Sequence, residues 1–466
     1  MRPTHLLLAL ALLFPALLGA ATPRPPNIVI FLADDLGWGD LGVYGHPVIQ
    51  TPNLDAFARQ GARLTQCYAA SAVCSPSRSA ILTGRTPYRN GVFTWIPEGR
   101  EVHLRTSEVA LPKLLRAQGY ATCHVGKWHL NSHFNQPTQP QPNDHGYDWW
   151  LATQNNAAPS HENPTNFVRN GQPVGPVQGY SAPFIVDEAI GWLRQHRDPA
   201  KPFLLSVWAH EPHYPIKSDP AFKALYPGLT DDVQKEHHAN VTQLDHAFGR
   251  LVRALDELNL AGDTLVFFTS DNGPEGDGIR TPGRGSTGGL RSRKRSVYEG
   301  GIRVPGLVRW PGRIAPGTVS DVPVIGSDLF VTAAKLAGAP LPADRVLDGG
   351  DFLPALAGKP VERARPLYWR CAIAPEQLKT AMRIGDWKIL SDEGLTQFEL
   401  YNVQRDRAET TELSAREPAR LAEMTAALRR LNAEIEAEGP AWWRAYQHGG
   451  GGGGGKAKAK QPKSAN

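Results

Sequence analysis

Residues 27–33 read Asn27-Ile28-Val29-Ile30-Phe31-Leu32-Ala33, and two carboxylates, Asp34-Asp35, follow them directly. The run is almost entirely apolar and rich in β-branched residues, a pattern typical of a strand that is buried on both faces of a parallel sheet. Adjacent carboxylates at the end of such a strand cost free energy unless they are paired with cations or bind a metal. The stretch therefore predicts a parallel sheet with a polar site at its edge.

Two further apolar runs end in chemically capable side chains. Residues 202–209 end at His210, and residues 264–270 end at Asp271-Asn272. In open α/β sheets, ligands bind beyond the carboxyl ends of the strands. We therefore expect these polar groups to meet Asp34 at one edge of the sheet.

A fourth strand is predicted over residues 120–129, and it carries two basic side chains. Lys127 and His129 are two residues apart, so strand alternation would place both on one side of the sheet. Four strand ends with polar groups are hard to explain as unrelated turns. The pattern predicts one shared site.

The segments around the strands indicate the fold class. Residues 184–194 and 233–258 have apolar positions at helical spacing. Buried strands that alternate with helices predict an α/β fold, in which helices flank a mostly parallel central sheet. Residues 131–180 are rich in Pro, Asn and Gln, and we expect them to form an irregular excursion over the surface. Residues 304–310 are expected to form one more strand.

The chain is expected to have four parts. Residues 1–21 combine Arg2 with an apolar run and small residues, which predicts a secretory signal and a periplasmic, secreted or otherwise extracytoplasmic protein. Residues 22–361 are assigned to the main α/β domain, and residues 362–446 to a smaller C-terminal subdomain with an antiparallel sheet and a terminal helix. Residues 447–466 are expected to form a disordered Gly/Lys tail. No stretch after the signal approaches the length of a membrane span.

The bulk composition excludes other classes of protein. The chain has 466 residues, of which 41% are hydrophobic and 20% charged, as expected for a globular protein with a sizeable core. The net charge of +5 is modest for this length and gives no indication of nucleic-acid binding. The four cysteines are too few for a disulfide scaffold. The sequence does not decide whether Cys67 and Cys123 form a disulfide bridge or whether Cys371 is free.

The stretch Cys74-Ser75-Pro76-Ser77-Arg78 places a small reactive side chain at the start of a predicted helix. Proline suits the first helical turn, where its missing N–H is not needed, and the free amides of that turn favour an anion. Arg78 follows Cys74 by four residues, so both lie on one helix face. Taken alone, the simplest interpretation is a buried cysteine before an ordinary helix.

The residue types at the predicted site indicate a hard cation and an anionic ligand. Asp34, Asp35, Asp271 and Asn272 offer oxygen ligands, which Ca²⁺ and Mg²⁺ prefer and which suit Zn²⁺ less well. Five further side chains are cationic or can become so, and together they suit a tetrahedral oxyanion that gains charge in the transition state. They are Arg78, Lys127, His129, His210 and Lys294.

Several motifs resemble the signatures of the type I sulfatases, in the alkaline phosphatase superfamily. They are Cys74-Ser75-Pro76-Ser77-Arg78 with Leu82-Thr83-Gly84-Arg85, Gly126-Lys127-Trp128-His129-Leu130, Thr269-Ser270-Asp271-Asn272-Gly273, and the segment from Gly289 through Lys294 to Pro305. The chain looks similar to arylsulfatases and to N-acetylgalactosamine-6-sulfatase-like members. The resemblance implies an alkaline-phosphatase-like fold and hydrolysis of a sulfate ester, carried by a small molecule or, as we expect, a glycan.

The resemblance also implies a modified nucleophile and a metal. Cys74 would be converted after translation to formylglycine by a maturation enzyme, and the hydrate of formylglycine would attack sulfur. Asp271 would be the base for the attacking hydroxyl. The implied ion is Ca²⁺, with Mg²⁺ as the less favoured alternative. Its implied ligands are Asp34, Asp35, Cys74, Asp271 and Asn272.

The other roles are likewise implied by the resemblance. Arg78 and Lys127 would hold the hydrate and the sulfate. His210 and Lys294 would face the leaving-group oxygen, with His210 as the general acid. His129 would accept the proton of the second hydroxyl as sulfate leaves. Lys127, His210 and Lys294 are therefore the expected substrate-binding residues.

Two other functions stay open. One is a phosphate mono- or diester hydrolase of the same superfamily, because related sites accept phosphate. The other is a non-catalytic protein that binds sulfated polymers through the basic loop over residues 280–303 and the lysine tail, although a solvated loop face explains the same charges.

Several further polar and aromatic residues near the expected site have more than one interpretation. His161 and His213 could contact a sugar, but packing or surface roles are the favoured interpretation. Trp149-Trp150 is interpreted as core in preference to a sugar platform. Gln154 and Asn155 are candidates for substrate contact.

Overall fold

The computed structural model describes residues 24–276 and 283–440. The predicted signal (residues 1–21) and the predicted tail (residues 447–466) lie outside the described residues. The strands, numbered along the chain, are β1 (Asn27–Ala33), β2 (Ala62–Leu64), β3 (Cys67–Tyr68), β4 (Ala121–Lys127), β5 (Trp149–Thr153), β6 (Val168–Arg169), β7 (Gln172–Pro173), β8 (Phe203–Trp208), β9 (Thr264–Ser270), β10 (Arg303–Val304), β11 (Gly306–Arg309), β12 (Thr318–Ser320), β13 (Val324–Ile325), β14 (Leu367–Arg370), β15 (Thr380–Ile384), β16 (Trp387–Ser391) and β17 (Phe398–Asn402).

The helices range from single turns to seven turns. They are α1 (Pro52–Gln60), α2 (Cys74–Thr83), α3 (Pro87–Asn90), α4 (Leu111–Arg116), α5 (Ser181–Gly191), α6 (Pro220–Lys223), α7 (Asp232–Glu257), α8 (Glu299–Ile302), α9 (Asp328–Leu336) and α10 (Pro418–Glu438). A π-helical turn, Trp192–His196, continues α5. Within the described ranges, none of the helices combines the length and the apolar composition needed to cross a bilayer.

The large sheet has the strand order β12-β2-β11-β9-β1-β8-β4-β5-β6-β7. Its central strands, from β9 to β5, run parallel, and antiparallel strands flank them on both sides. The register pairs Ala33 with Ser270 and Leu32 with Trp208, so β1, β8 and β9 end at the same level. Gly126 of β4 also pairs with Trp208. The predicted parallel sheet with converging strand ends is confirmed.

Each face of the large sheet is covered by helices, which explains why β1 has no polar face. Ile28 and Ile30 point into a layer that also contains apolar residues of α2, α4 and α9. Val29 and Phe31 point into the opposite layer, which contains residues of α1, α5 and α7. The ring of Phe31 packs edge-on against Phe248 of α7, with ring centroids 5.1 Å apart. Burial on both sides accounts for the unbroken apolar run in the sequence.

A separate antiparallel sheet, in the order β14-β15-β16-β17, follows the large sheet in the chain. Met382 and Ile389 lie on the face that packs against α10, together with Met424 and Leu428 of that helix. The other face joins an apolar cluster that includes Cys74. The predicted small antiparallel sheet is therefore present, and it supports the segment that carries the candidate nucleophile.

A buried ionic network fixes the small sheet to the rest of the molecule. Lys388 of β16 lies 2.9 Å from a carboxylate oxygen of Glu299 and 2.9 Å from one of Glu409. All three side chains are inaccessible to solvent. Arg383 of β15 donates to the hydroxyl of Tyr68 in β3 at 2.6 Å. Buried charges of this kind need these partners, since removing one leaves another unpaired.

Local expectations fail in two places, and the state of the cysteines, which the sequence left open, is resolved. Residues 131–180 are not only a surface excursion, because β5, β6 and β7 extend the large sheet and Leu151 is fully buried. The strand expected over residues 304–310 is broken at Pro305, so β10 and β11 belong to different sheets. All four cysteines are free. A Cys67–Cys123 bridge is excluded because these residues lie in the layers on opposite faces of the large sheet.

Candidate active site

The turns after β1 and β9 bring the predicted carboxylates together. The backbone N–H of Asp271 donates to the carbonyl of Ala33 at 3.1 Å, so the strand pairing continues past the end of β9. The N–H of Asp35 donates to Oδ1 of Asp271 at 3.2 Å. Asp35 has a φ of 65°, a left-handed conformation that turns the chain sharply beside the strand end. The strand ends thus fix the positions of the acidic side chains.

The carboxylates form a tight cluster with the character of a cation site. Asp34, Asp35 and Asp271 each place one oxygen within 4.8 Å of the others, and all three side chains are buried. The Nδ2 group of Asn272 donates to Asp35 at 2.6 Å. Oδ1 of Asp34 and Oδ1 of Asn272 are buried and accept no hydrogen bond from the described residues. These oxygen donors fit a hard cation such as Ca²⁺.

Cationic side chains surround the cluster. Nε and Nη2 of Arg78 lie 3.0 and 2.6 Å from Oδ2 of Asp271, and Nη1 donates to the carbonyl of Lys127 at 3.0 Å. Nζ of Lys127 donates to Asp34 at 2.6 Å. Nζ of Lys294 lies 2.7 Å from Asp35. The site therefore brings together every charged residue that the sequence analysis assigned to it.

The acidic residues differ in how readily they ionise. Although burial opposes ionisation of Asp34, its cationic neighbours, led by Lys127, hold its pKa well below the usual range. Burial raises the pKa of Asp35 to about 7, against the effect of Lys294. Burial and the charge of Asp34 raise the pKa of Asp271. A bound divalent cation would favour the ionised form of all three.

Cys74 is the first residue of α2 and directly follows the N-cap residue, Val73. Its side chain is 3% exposed, and its Sγ lies within 4.8 Å of ligand atoms of Asp34 and His213. Burial raises the pKa of the Cys74 thiol, although Lys127 and Lys294 oppose this. A protonated thiol is a weak nucleophile. The position favours a chemistry other than that of a thiolate.

His129 lies beyond the end of β4, and its protonation is set by its contacts. Nε2 lies 3.1 Å from the carbonyl oxygen of Ile96. Because a carbonyl only accepts, Nε2 carries the proton and Nδ1 has the lone pair. Nδ1 is buried without a partner among the described residues. The expectation that strand alternation aligns His129 with Lys127 is wrong, because β4 ends at Lys127 and His129 has a φ of 55°.

His210 is oriented in a similar way at the end of β8. The hydroxyl of Thr153 donates to the carbonyl of Asn155 at 2.7 Å, so it accepts from Nε2 of His210, 2.8 Å away. Nδ1 of His210 is buried and has no partner within the described ranges. Burial and the neighbouring His161 hold the pKa of His210 well below its usual range. His210 is therefore neutral until a nearby negative charge favours its protonation.

Two family models match the chain. The model described as Sulfatase covers residues 26–339, and the model described as N-sulphoglucosamine sulphohydrolase, C-terminal, covers residues 291–437. The chain belongs to the sulfatase family. This sulfatase is a sulfuric ester hydrolase with the alkaline-phosphatase-like fold that the sequence motifs implied.

Named relatives agree with this assignment. The chain is 37% identical to N-acetylgalactosamine-6-sulfatase of Sus scrofa over 390 residues, which cover 78% of this chain and 72% of the relative. It is 38% identical to human arylsulfatase A over 416 residues, 83% of this chain and 77% of the relative. The solved structure of Ps i-CgsB in complex with k-i-k-neocarrahexaose aligns with a TM-score of 0.79 at 27% identity, covering 90% of this chain and 94% of that chain.

The sequence analysis missed three residues at the site of this sulfatase. His213, interpreted as a surface or packing residue, places Nε2 3.6 Å from Asp35. Glu275 lies 2.9 Å from Nζ of Lys294. Glu211 is fully buried and accepts hydrogen bonds from Ser181 and from the N–H of Ala182 at the start of α5. Their proximity in sequence to His210 and Asp271 was the signal that could have identified them.

Of the remaining candidates for substrate contact, some lie beside the site and others pack in the interior. Nε2 of Gln154 donates to the carbonyl of Ile96 at 3.2 Å, and Asn155 follows it. His161 is buried beside Asn240, with Nδ1 3.3 Å from Nδ2 of the asparagine. Trp150 belongs to the core, as expected. Gln154 and Asn155 therefore remain beside the site, whereas His161 and Trp150 pack behind it.

The basic loop is paired more fully than its sequence indicates. Arg284 contacts Asp231, Arg291 contacts the hydroxyl of Tyr401, Arg293 contacts the carbonyl of Gly285, and Arg295 contacts Glu275. Arg280 lies outside the described residues. Because the described arginines have internal partners, the loop is held against the protein surface.

Proposed function

We propose that this sulfatase hydrolyses a sulfate ester on a carbohydrate through formylglycine formed from Cys74. The observation that carries the proposal is the position of the Cys74 side chain, which lies beside Asp34 in the acidic cluster and at the first turn of α2. A hydrate at this position would supply one hydroxyl to attack sulfur and a second to expel sulfate. Glycan-directed relatives support the carbohydrate as the carrier of the ester.

We further propose that Asp34, Asp35, Asp271, Asn272 and residue 74 hold Ca²⁺. When bound, the ion would withdraw electron density from a sulfate oxygen and orient the nucleophile. The unpartnered oxygens of Asp34 and Asn272 support this assignment, because both are buried and free to coordinate. Asp271 also lies where it could receive the proton of the attacking hydroxyl.

The cationic residues would position the ester and neutralise its charge. Arg78 and Lys127 are held rigidly, since each donates to a carboxylate of the cluster. Lys294 is tied to Asp35 and Glu275, so its ammonium group would bind from the other side of the cluster. Such preorganised charges stabilise the negative charge that develops in the transition state.

The two histidines would move protons in opposite directions. Nε2 of His210 is committed to Thr153, so a proton for the leaving alcohol would come from Nδ1. The negative charge of a bound sulfate ester favours the imidazolium that this requires. Nδ1 of His129 already has a lone pair, so it would accept the proton of the second hydroxyl as the C–O bond to sulfate breaks.

The test combines mass spectrometry with kinetics. The protein is produced with a formylglycine-generating enzyme, and the peptide that contains residue 74 is analysed for the aldehyde. Turnover is measured on sulfate and phosphate esters of one aryl alcohol and on a panel of monosulfated saccharides. We expect formylglycine, a preference for sulfate esters and loss of turnover in Cys74→Ala. An unmodified thiol in fully active protein would refute formylglycine as the nucleophile. Faster hydrolysis of the phosphate ester than of the sulfate ester would favour the phosphatase alternative.

We also propose export of the mature protein, directed by residues 1–21. The sequence of this segment supports the proposal, since Arg2 precedes an apolar run and small residues. Expression with and without residues 1–21, followed by N-terminal sequencing of the extracytoplasmic fraction, tests it. Full-length protein that keeps its N-terminus and stays in the cytoplasm would refute it.

A further inference from the structure

A short segment before Pro97 is fixed directly against the active site. The N–H of Ile96 donates to the hydroxyl of Ser75, in the first turn of α2, at 3.1 Å. The carbonyl of Ile96 accepts from His129 at 3.1 Å and from Gln154 at 3.2 Å. The carbonyl of Pro97 accepts from Ser132. The backbone of Trp95 is therefore immobilised one residue from the group that orients His129.

The side chain of Trp95 is exposed although its neighbours are buried. It is 42% exposed, whereas Ile96 is fully buried and Phe93 nearly so. Within the described ranges, no hydrogen bond of the Trp95 indole is observed. An exposed apolar side chain alone needs no explanation. Because its backbone lies one residue from the carbonyl that orients His129, the exposed indole of Trp95 offers a flat apolar surface beside the active site to whatever is attached to the sulfate.

Two unpartnered polar atoms lie in the segments next to Trp95. Oγ1 of Thr94 and Oδ1 of Asn155 are buried and have no hydrogen-bond partner among the described residues. The contact between Gln154 and the carbonyl of Ile96 ties these two segments together. Buried polar atoms are normally satisfied, so these two atoms are available to the hydroxyls of a ligand that binds beside Trp95.

We propose that Trp95 is the platform for the sugar ring that carries the sulfate ester, with Thr94 and Asn155 binding hydroxyls at the edge of that ring. One face of a pyranose consists largely of C–H groups, which pack on an indole, and its edge carries the hydroxyls. This inference rests on the proposed function, because the sulfate group has to lie at the cluster of Asp34 and Cys74. It adds the residue that selects a carbohydrate over other sulfate esters.

The experiment compares Trp95→Ala and Trp95→Phe with wild-type enzyme matured in the same host. The substrates are the monosulfated monosaccharide that the wild type hydrolyses fastest and 4-nitrophenyl sulfate. Inorganic sulfate serves as a competitive inhibitor that measures the sulfate-binding groups alone. The matched control is Trp310→Ala, because Trp310 follows β11 at the opposite edge of the large sheet and donates to Gly262.

We expect Trp95→Ala to lower kcat/KM on the saccharide about ten-fold, mainly through KM, which corresponds to about 1.4 kcal/mol. Trp95→Phe should recover most of this loss, and neither the inhibition constant of sulfate nor the Trp310→Ala enzyme should change. The inference is overturned by normal saccharide turnover in Trp95→Ala, by equal weakening of sulfate inhibition, or by a wild type that hydrolyses 4-nitrophenyl sulfate but no saccharide. Absence of all turnover in matured wild type would instead refute the proposed function.

Discussion

Nε2 of His129 lies 3.1 Å from the carbonyl oxygen of Ile96, and this contact determines which ring nitrogen carries the proton. The lone pair is left on Nδ1, which has no partner within the described ranges. A histidine held in this tautomer is prepared to accept a proton and not to donate one. His210 is held in the same tautomer by Thr153, so it has to be protonated at Nδ1 before it can donate, whereas His129 can accept a proton directly.

Replacing His129 by Gln should slow the release of sulfate. Removal of a general base typically lowers kcat by about 10²–10⁴-fold. Because the first step does not depend on His129 in the proposed mechanism, the first turnover should still release the alcohol as a burst, measurable by stopped-flow absorbance. His246→Gln, at an exposed position, is the control. Slow turnover without a burst would place His129 in the first step.

Replacing Arg78 by Ala should destabilise the fold as well as abolish activity. The side chains of Arg78 and Asp271 are both inaccessible to solvent and 2.6 Å apart. Breaking a buried ion pair from one side costs about 3–5 kcal/mol, because the remaining charge loses its partner. Urea unfolding in the presence of a chelator measures the effect without the metal.

The control for Arg78 is Arg116→Ala. Arg116 and Asp148 form a surface pair at 3.5 Å, in which both side chains are almost half exposed. Such a pair contributes about 0–1 kcal/mol. Equal losses of stability in the two variants would contradict the structural role assigned to Arg78.

Calcium should raise the thermal stability of the sulfatase, and chelation should remove both this gain and the activity. A ligand that binds only the folded state at 100 times its Kd stabilises it by about 2.7 kcal/mol. Asp35→Asn should reduce the gain because one carboxylate of the cluster is lost. Asp187→Asn, at an exposed acidic residue, should leave it unchanged. Differential scanning calorimetry with Ca²⁺, Mg²⁺ or EDTA gives the measurement, and an identical Tm in all three would refute the metal site.

The buried ring of His124 should make stability depend on pH below neutrality. It is enclosed by the rings of Trp128, Tyr147 and Trp208, and burial lowers its pKa to about 3. The unfolded chain binds a proton at this position below a pKa of about 6.5. Between these values the unfolded state binds more protons than the folded state, so the contribution of His124 to stability falls as the pH falls.

The variant His124→Phe isolates this contribution. Removal of the His124 imidazole should reduce the slope of the unfolding free energy against pH by up to about 1.4 kcal/mol per pH unit between pH 6 and pH 4. Chemical unfolding at several pH values, with His246→Phe as the control, provides the comparison. An unchanged slope would show that His124 remains unprotonated in both states or protonated in both.

Much of this architecture was predictable because buried parallel strands leave a strong local signal. The run from Asn27 to Ala33 is apolar on both faces, and parallel pairing then brings Asp34 and Asp271 to one edge. Sequence proximity to His210 and Asp271 could have placed His213 and Glu275 near the site, but their contacts with Asp35 and Lys294 depend on loop paths and were not predictable. His129 shows the limit most clearly, since its left-handed backbone breaks the alternation on which its predicted orientation rested.

The burial of Cys74 has a consequence for timing. The side chain is 3% exposed, and Arg78 in the same helix pairs with Asp271, 193 residues further along the chain. A maturation enzyme would need access to residue 74 before this pairing closes α2 into the interior. At a synthesis rate of about 5–20 residues per second, the interval between the two positions is roughly 10–40 s. The fraction of molecules that become active would then depend on the rate of modification relative to the rate of folding. Slower folding would increase this fraction.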